Sequence, residues 1–386
     1  MARSIALALG LVLAAGCGGS GSDESPDSTP TPQAATPTQV TPTPPPAVTW
    51  HGDIKPLVQR SCLRCHTDQG VGPGDFTRYE DAAPMAQAMA AFVDAGLMPP
   101  AAADPSCADY KDSERMFLND DERALFSTWA DLGAPEGQAR GDSVDLSFVD
   151  RIPDEDADLI LTPKKGHRPN FDATGNDYHC FVLDTNRDET FYVTAMDVRP
   201  DKTQMVHHMV LYVDTDGVLD EGVNEDEGFQ CFHGGGGWSF LSAWAPGAGP
   251  AIMPPGTGLK VEPHQKVILQ VHYFDAFEGA ALTEDRSGYV MKTTPEVEEE
   301  MYLLPYGPTG FEIPPGDPSY TYTESFTMEG EIPPLVIWGT FPHMHVLGKS
   351  YNLWITERSG KEQCILDGPR YDFHNQLTYF VKQPST

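Results

Sequence analysis

A small all-α domain followed by all-β sandwiches is the fold class that this sequence predicts. From Val48 to about Gly137, apolar residues recur at helical spacing. After Asp142 they fall instead into short β-branched and aromatic runs split by Pro, Gly and Asp. The 36 glycines and 35 prolines among 386 residues add a loop-rich body and at least one linker. That length suits two or three domains of roughly 100–200 residues each.

Residues 1–16 read as a signal peptide. Arg3 supplies the positive start, and Ile5 to Ala15 is an apolar stretch too short to span a bilayer as a stable helix. It closes on Leu13-Ala14-Ala15-Gly16-Cys17, which resembles the lipobox of bacterial lipoproteins. The resemblance implies cleavage before Cys17 and lipid modification of that cysteine. Gly18 rather than Asp after it favours the outer membrane of a Gram-negative cell. The expected location is therefore the outer membrane, periplasm or cell surface, with membrane contact through the lipid anchor alone. Residues 17–47 are rich in Pro, Thr and Ser and almost without bulky apolar side chains, so they read as a disordered tether.

Residues 48–140 carry the helical pattern. Asp53-Ile-Lys-Pro-Leu-Val opens a helix that runs into Cys62-Leu-Arg-Cys65-His66. A second helix is expected from Tyr79 to Phe92. A third follows Leu118, with Asn119 as cap and early acidic residues, and ends near Gly133. In the CLRCH sequence two thiols three positions apart can form thioethers to the haem vinyls, and His66 then lies under the iron. A zinc half-site would need a second cysteine pair, and none lies nearby. The segment thus fits a small class I cytochrome c-like domain carrying haem c. Met98, in Gly96-Leu-Met-Pro-Pro, is the candidate distal ligand, because the prolines would hold a rigid loop across the haem face. Met85, Met89 and Met116 sit in helical patterns, where Met more often fills core. His/Met ligation suits electron transfer.

The strand-like runs are FYVTAMDV, MVLYVD, KVILQVHYF, YTYTESFTM, PLVIWGTF and YNLWITE. Histidines cluster among them. His207 and His208 are adjacent, so a regular strand would point them to opposite faces. They reach one metal only if they bind through different ring nitrogens or if the strand bulges. With His272 they could hold zinc and leave a fourth position open. His343 and His345 lie two apart, so on a strand they share a face and can chelate one ion while Met344 points away. His51, His167, His179, His233, His264 and His374 lack paired spacing and read as surface or core residues, with His179 the least settled. The Gly234–Gly237 run reads as a loop.

In order and local wording these clusters resemble the copper type II, ascorbate-dependent monooxygenases. The HHM and LQVHY phrases imply a first copper at His207, His208 and His272. The HxH phrase implies a second copper at His343 and His345, the catalytic site where oxygen binds. Tyr178-His-Cys180 and Phe229-Gln-Cys231 resemble the family's paired cysteines and imply a Cys180–Cys231 disulfide. Ser242-Ala-Trp244-Ala-Pro and Met253-Pro-Pro-Gly-Thr-Gly extend the likeness over roughly residues 170–386. It implies tandem jelly-roll-like sandwiches, the first over 145–292 and the second over 293–386.

Two departures stand out. The family's second copper also takes a thioether from a later methionine, yet none follows Met344 before Thr386, so the second sandwich and its site are expected to be C-terminally incomplete. Cys364 is accordingly expected to lack a partner. Phe341 replaces the arginine that grips a peptide carboxylate, which argues against a peptide-specific enzyme.

The expected activity is hydroxylation of a C–H bond of a small organic substrate with O2. Electrons would come from the fused haem, ascorbate or an electron-donor protein. The alternatives are a non-catalytic electron-transfer or copper-binding lipoprotein and a zinc hydrolase. A net charge of −32 argues against nucleic acid as a partner.

Overall fold

The structure is a computed structural model. It describes residues 48–385 apart from 69, 71, 101, 140, 142–150, 218, 220–222, 232–236, 276–282, 308–309, 328–335 and 374. The signal peptide, Cys17, the tether, His233, His374 and most of the Gly234–Gly237 run lie outside the described residues.

Thr49 opens the helical part. Its hydroxyl accepts from the Gly52 N–H at 3.1 Å, while its own N–H donates to Asp53. A π-type turn over Trp50–Ile54 leads into α1 (Lys55–Ser61), which ends at the first cysteine of the CLRCH sequence. α2 (Tyr79–Ala82) and α3 (Ala86–Asp94) form the expected second helix, broken by a 3₁₀ turn over Ala83–Met85 that contains Pro84. α4 (Ser113–Met116) is a single turn. In α5 (Asp120–Asp131), Asn119 and Glu122 form a reciprocal capping box, as the cap and early acids predict. Arg60 grips Glu122 with both terminal guanidinium nitrogens at 2.8 Å, tying α1 to the start of α5. Trp50, Ile54, Val58, Phe126 and Trp129 are buried at the centre of this part.

The rest is β. In chain order the strands are β1 (Leu159–Leu161), β2 (Asn176–Asp184), β3 (Phe191–Arg199), β4 (Val206–Asp214), β5 (Phe229–Gln230), β6 (Trp238–Trp244), β7 (Ala251–Ile252) and β8 (Thr257–Val261). They continue with β9 (Lys266–Phe274), β10 (Gly288–Thr294), β11 (Glu299–Met301), β12 (Ile337–Thr340), β13 (Tyr351–Thr356), β14 (Glu362–Gly368) and β15 (Tyr379–Ser385). One sheet runs β5-β2-β9-β4-β6, and a second runs β1-β10-β3-β8-β11 with β7 beside β3. A shared core gathers Met209, Leu211, Val267, Leu269 and Val271 from the first sheet with Val193, Val198, Leu259 and Met291 from the second. Apolar burial of this kind is the main favourable term in folding, and the period of two along each strand produces it.

Beyond β11 the described residues form two small antiparallel pairs, β12-β15 and β13-β14. Two expectations need correction here. The YTYTESF stretch joins no sheet, and its residues are almost all exposed. Cys364 does have a partner, Cys107, at a sequence separation of 257 residues. Around that bridge, segment 104–111 docks on β14 and β15. Asp104 N–H donates to Asp367 and Lys111 N–H to Phe380, and Tyr110 pairs with Val381. Tyr110, Leu366, Leu377 and Tyr379 are buried together there.

Candidate metal centre

The period of two along β9 sends Val267, Leu269, Val271 and Tyr273 into the sandwich core. His272 is thereby turned to the opposite face of its sheet, where it is fully buried. On the neighbouring β4, Met209, Leu211 and Val213 face the core, and so does Val206. That interval of three residues breaks the alternation. The break is a β-bulge: Val206 pairs with Tyr273 and His208 with His272, and His207 is the extra residue between them. The bulge brings both adjacent histidines to the face that carries His272, which is the second of the two possibilities the sequence left open.

The outcome is a convergent triad. The Nδ1 atoms of His207 and His208 are 3.2 Å apart, those of His207 and His272 3.0 Å, and those of His272 and His208 3.3 Å. Such a triangle places each nitrogen about 1.8 Å from its centre. A metal–nitrogen bond of ~2.0 Å is close to that radius, so the three residues would hold one ion between them. Among the described residues this is the one cluster of three such side chains with metal-binding geometry.

Neighbours prepare these rings. The Nε2 of His272 lies 2.7 Å from Asn176 Oδ1, an acceptor that fixes the proton on Nε2 and leaves the Nδ1 lone pair for a metal. Tyr178, opposite His272 across the β2–β9 ladder, stacks on it at 4.1 Å between ring centroids. Phe373 stacks on His207 at 5.6 Å. Burial pushes His208 well below its ordinary pKa, and the nearby His272, His207 and His343 rings push it the same way. It therefore offers a neutral imidazole, the form that ligates metal. Sequence reading missed the roles of Asn176, Tyr178 and Phe373, although Tyr178 opens the Tyr178-His-Cys180 phrase that the family likeness already marked and Asn176 lies two residues before it.

Replacing Asn176 with alanine is expected to weaken copper binding at the triad by about 10–100-fold, the usual cost of losing a group that orients a ligand. A competitive copper titration measures it, and His272→Ala provides the reference for a lost ligand.

Beside Asn176, the buried Asp177 accepts from His167 Nε2 at 2.7 Å, the Asn170 N–H at 2.9 Å and Gln230 Nε2 at 3.0 Å. Burial alone would raise its pKa, but these hydrogen bonds outweigh it and hold the carboxyl at about 2, against an ordinary 3.8. A depressed carboxyl contributes stability above the unfolded value, and that contribution is lost as pH falls through the folded one. Acid should therefore destabilise the wild-type protein between about pH 4 and pH 2. Asp177→Asn should flatten that part of the urea-midpoint profile and cost about 2 kcal/mol near neutrality. His167 and His179 have a structural role here: their rings stack at 3.8 Å, and His179 Nε2 lies 2.9 Å from the Glu227 carbonyl.

The second pair departs from expectation. β12 stops at Thr340, and His343 and His345 follow it in an irregular, exposed segment rather than on a strand. Pro342 between them and the strand has no N–H to continue a ladder. The rings are nevertheless neighbours, at 5.3 Å between centroids. His343 Nδ1 lies 2.7 Å from Gln376 Oε1, which leaves Nε2 as its free ligand atom. Desolvation lowers the His343 pKa; the Gln376 bond opposes that shift, and His345 adds to it. Met344 is turned aside, with its backbone hydrogen-bonded to Tyr371 and its side chain over Gly348. Phe341 stands 6.4 Å from His343 and 6.2 Å from Phe240 of β6, so an aromatic wall runs from the pair to the first sandwich.

The remaining candidates fall as follows. Cys180 and Cys231 form the disulfide that the family likeness implied. Cys62 and Cys65 are free thiols. Burial raises the Cys62 pKa to about 12 and shifts Cys65 the same way. His66 Nδ1 lies 2.8 Å from the Pro73 carbonyl, which leaves Nε2 free. Met98 sits in the loop after α3 with its side chain partly exposed.

Residues 167–278 match the family described as copper type II ascorbate-dependent monooxygenase, N-terminal domain. The match contains the whole triad and both cysteines of the Cys180–Cys231 bridge. It supports a copper-dependent monooxygenase, an oxidoreductase, in general terms. No curated protein matches the chain.

Proposed function

We propose that this chain is an exported, lipid-anchored copper monooxygenase fused to a c-type cytochrome, which hydroxylates a C–H bond of a small organic substrate. The observation that carries the reading is the triad of Nδ1 atoms within 3.0–3.3 Å of one another inside the matched region. His207, His208 and His272 would hold the first copper, and His343 and His345 would hold the second through their free nitrogens. When bound, copper supplies one-electron redox chemistry and oxygen activation. Asn176 and Gln376 keep the ligand rings in the right tautomer, and Phe240 and Phe341 present an apolar wall beside the second pair. That wall suits a small aromatic or aliphatic substrate rather than one anchored by a carboxylate.

The haem reading rests on Cys62, Cys65 and His66. The other described cysteines are paired in two disulfides, whereas Cys62 and Cys65 stay unpaired at the end of α1. Unpaired thiols in this spacing beside an oriented histidine fit covalent haem attachment. The haem would feed electrons alongside ascorbate or an electron-donor protein.

A second reading, a non-catalytic copper and electron-transfer protein, draws on the exposed, irregular placement of His343 and His345. Copper-loaded protein given ascorbate, isotopically labelled O2 and a panel of small aromatic and aliphatic compounds separates the two. Reductant-dependent transfer of one labelled oxygen atom into a product is the expected result. Absence of labelled product with copper bound at both clusters overturns the proposal in favour of the second reading.

A further inference from the structure

The turn that follows β6 meets the second cysteine of the CLRCH sequence. A Cβ built on Gly247 would lie 3.0 Å from Cys65 Sγ, so the glycine backbone is in direct contact with that sulfur. Gly247 has φ +87°, a left-handed conformation that glycine adopts without penalty. The turn is rigid. Ala248 N–H donates to the Ala245 carbonyl at 3.0 Å, and the Trp244 indole N–H donates to the Ala248 carbonyl at 3.0 Å. Trp244 is buried and pairs with Met209 in the β4–β6 ladder, and Met209 follows His208 directly. An unbroken chain of packed and hydrogen-bonded groups therefore runs from Cys65 to a ligand of the triad.

The helical part is fixed to the β part near this contact. Besides the Cys107–Cys364 bridge and the 104–111 segment, Gly96 of the Met98 loop lies against the guanidinium of Arg370. Ala248 packs both on the sandwich core and on the cluster around Tyr110 and Tyr379, so the turn is braced from both sides.

We propose that the Trp244–Ala248 turn, entered at Gly247, is the internal electron route from the haem to the triad copper. This inference rests on the haem and copper reading above. With haem attached, the Cys65 sulfur becomes a thioether on the porphyrin edge, so the contact at Gly247 is a contact with the haem periphery. One electron leaves the ferrous haem, which becomes ferric, and reduces Cu(II) at the triad to Cu(I). No bond is made or broken. An external donor protein or ascorbate then restores the ferrous state. Trp244 and Gly247 act as positioning residues, holding donor and acceptor in fixed register.

Anaerobic flash photoreduction of the haem in the full-length, copper-loaded protein tests the route. Decay of the ferrous haem band should be first-order and independent of protein concentration, and His272→Ala, which removes the acceptor, should abolish it. Gly247→Val adds bulk against the sulfur and disfavours the positive φ. It should slow the decay by an order of magnitude or more while leaving the resting haem spectrum and the copper content unchanged. Trp244→Phe keeps the packing but loses the indole donor, and it should slow the decay less. An unchanged rate in both variants, or a rate proportional to protein concentration, overturns the route alone. A protein isolated with no covalently attached haem overturns both the route and the reading beneath it.

Discussion

Alanine in place of His272 is expected to strip copper from the triad. His272 is fully buried between β2 and β4, and its two partners both lie on β4, so no other described side chain can take its place at the vertex it fills. Losing a group that only orients a ligand costs about 10–100-fold in affinity, so losing the ligand itself should cost at least about 100-fold. The His343–His345 pair draws on a different segment and should keep its ion. A copper titration of the variant followed by metal analysis checks both statements. Full retention of triad copper would place the ligand set elsewhere.

Serine at both Cys107 and Cys364 should give the largest loss of stability. The bridge closes a loop of 257 residues and fastens segment 104–111 to β14, so its removal frees a long stretch of unfolded chain. The chain-entropy account puts the cost at about 5.5 kcal/mol. At roughly 2 °C per kcal/mol for a protein of this size, the melting transition should fall by about 11 °C. Scanning calorimetry under oxidising conditions measures it. The transition of the wild-type protein should drop further in reductant, which opens both bridges, whereas that of the variant should respond only through Cys180–Cys231.

The helical and β halves and the strands that hold the triad were legible because strand alternation and helix caps are local properties. The triad's members came instead from the family likeness, since alternation alone sends His207 and His208 to opposite faces. The bulge was half visible. Val206 and Met209 are both apolar and three apart, a spacing that a regular strand facing one core does not produce. The errors came where a local pattern needs a distant partner. Tyr320 to Phe326 alternates like a strand, but a strand exists only through its ladder, and this stretch has none. Pro342 could have warned that His343 and His345 lie past a strand end. Asn176, Phe373 and Gln376 meet histidines 96, 166 and 33 positions away, across tertiary contacts that no spacing rule reaches. The Cys107–Cys364 pairing was illegible for the same reason, since connectivity does not follow from cysteine counts.

Electron paramagnetic resonance of the copper-loaded protein, before and after ascorbate and then O2, tests the central claim most directly. We predict a Cu(II) signal with nitrogen hyperfine structure that ascorbate bleaches and O2 restores, with the triad component absent from His272→Ala. A triad that retains zinc against excess copper, or a copper signal that ascorbate leaves untouched, would contradict it.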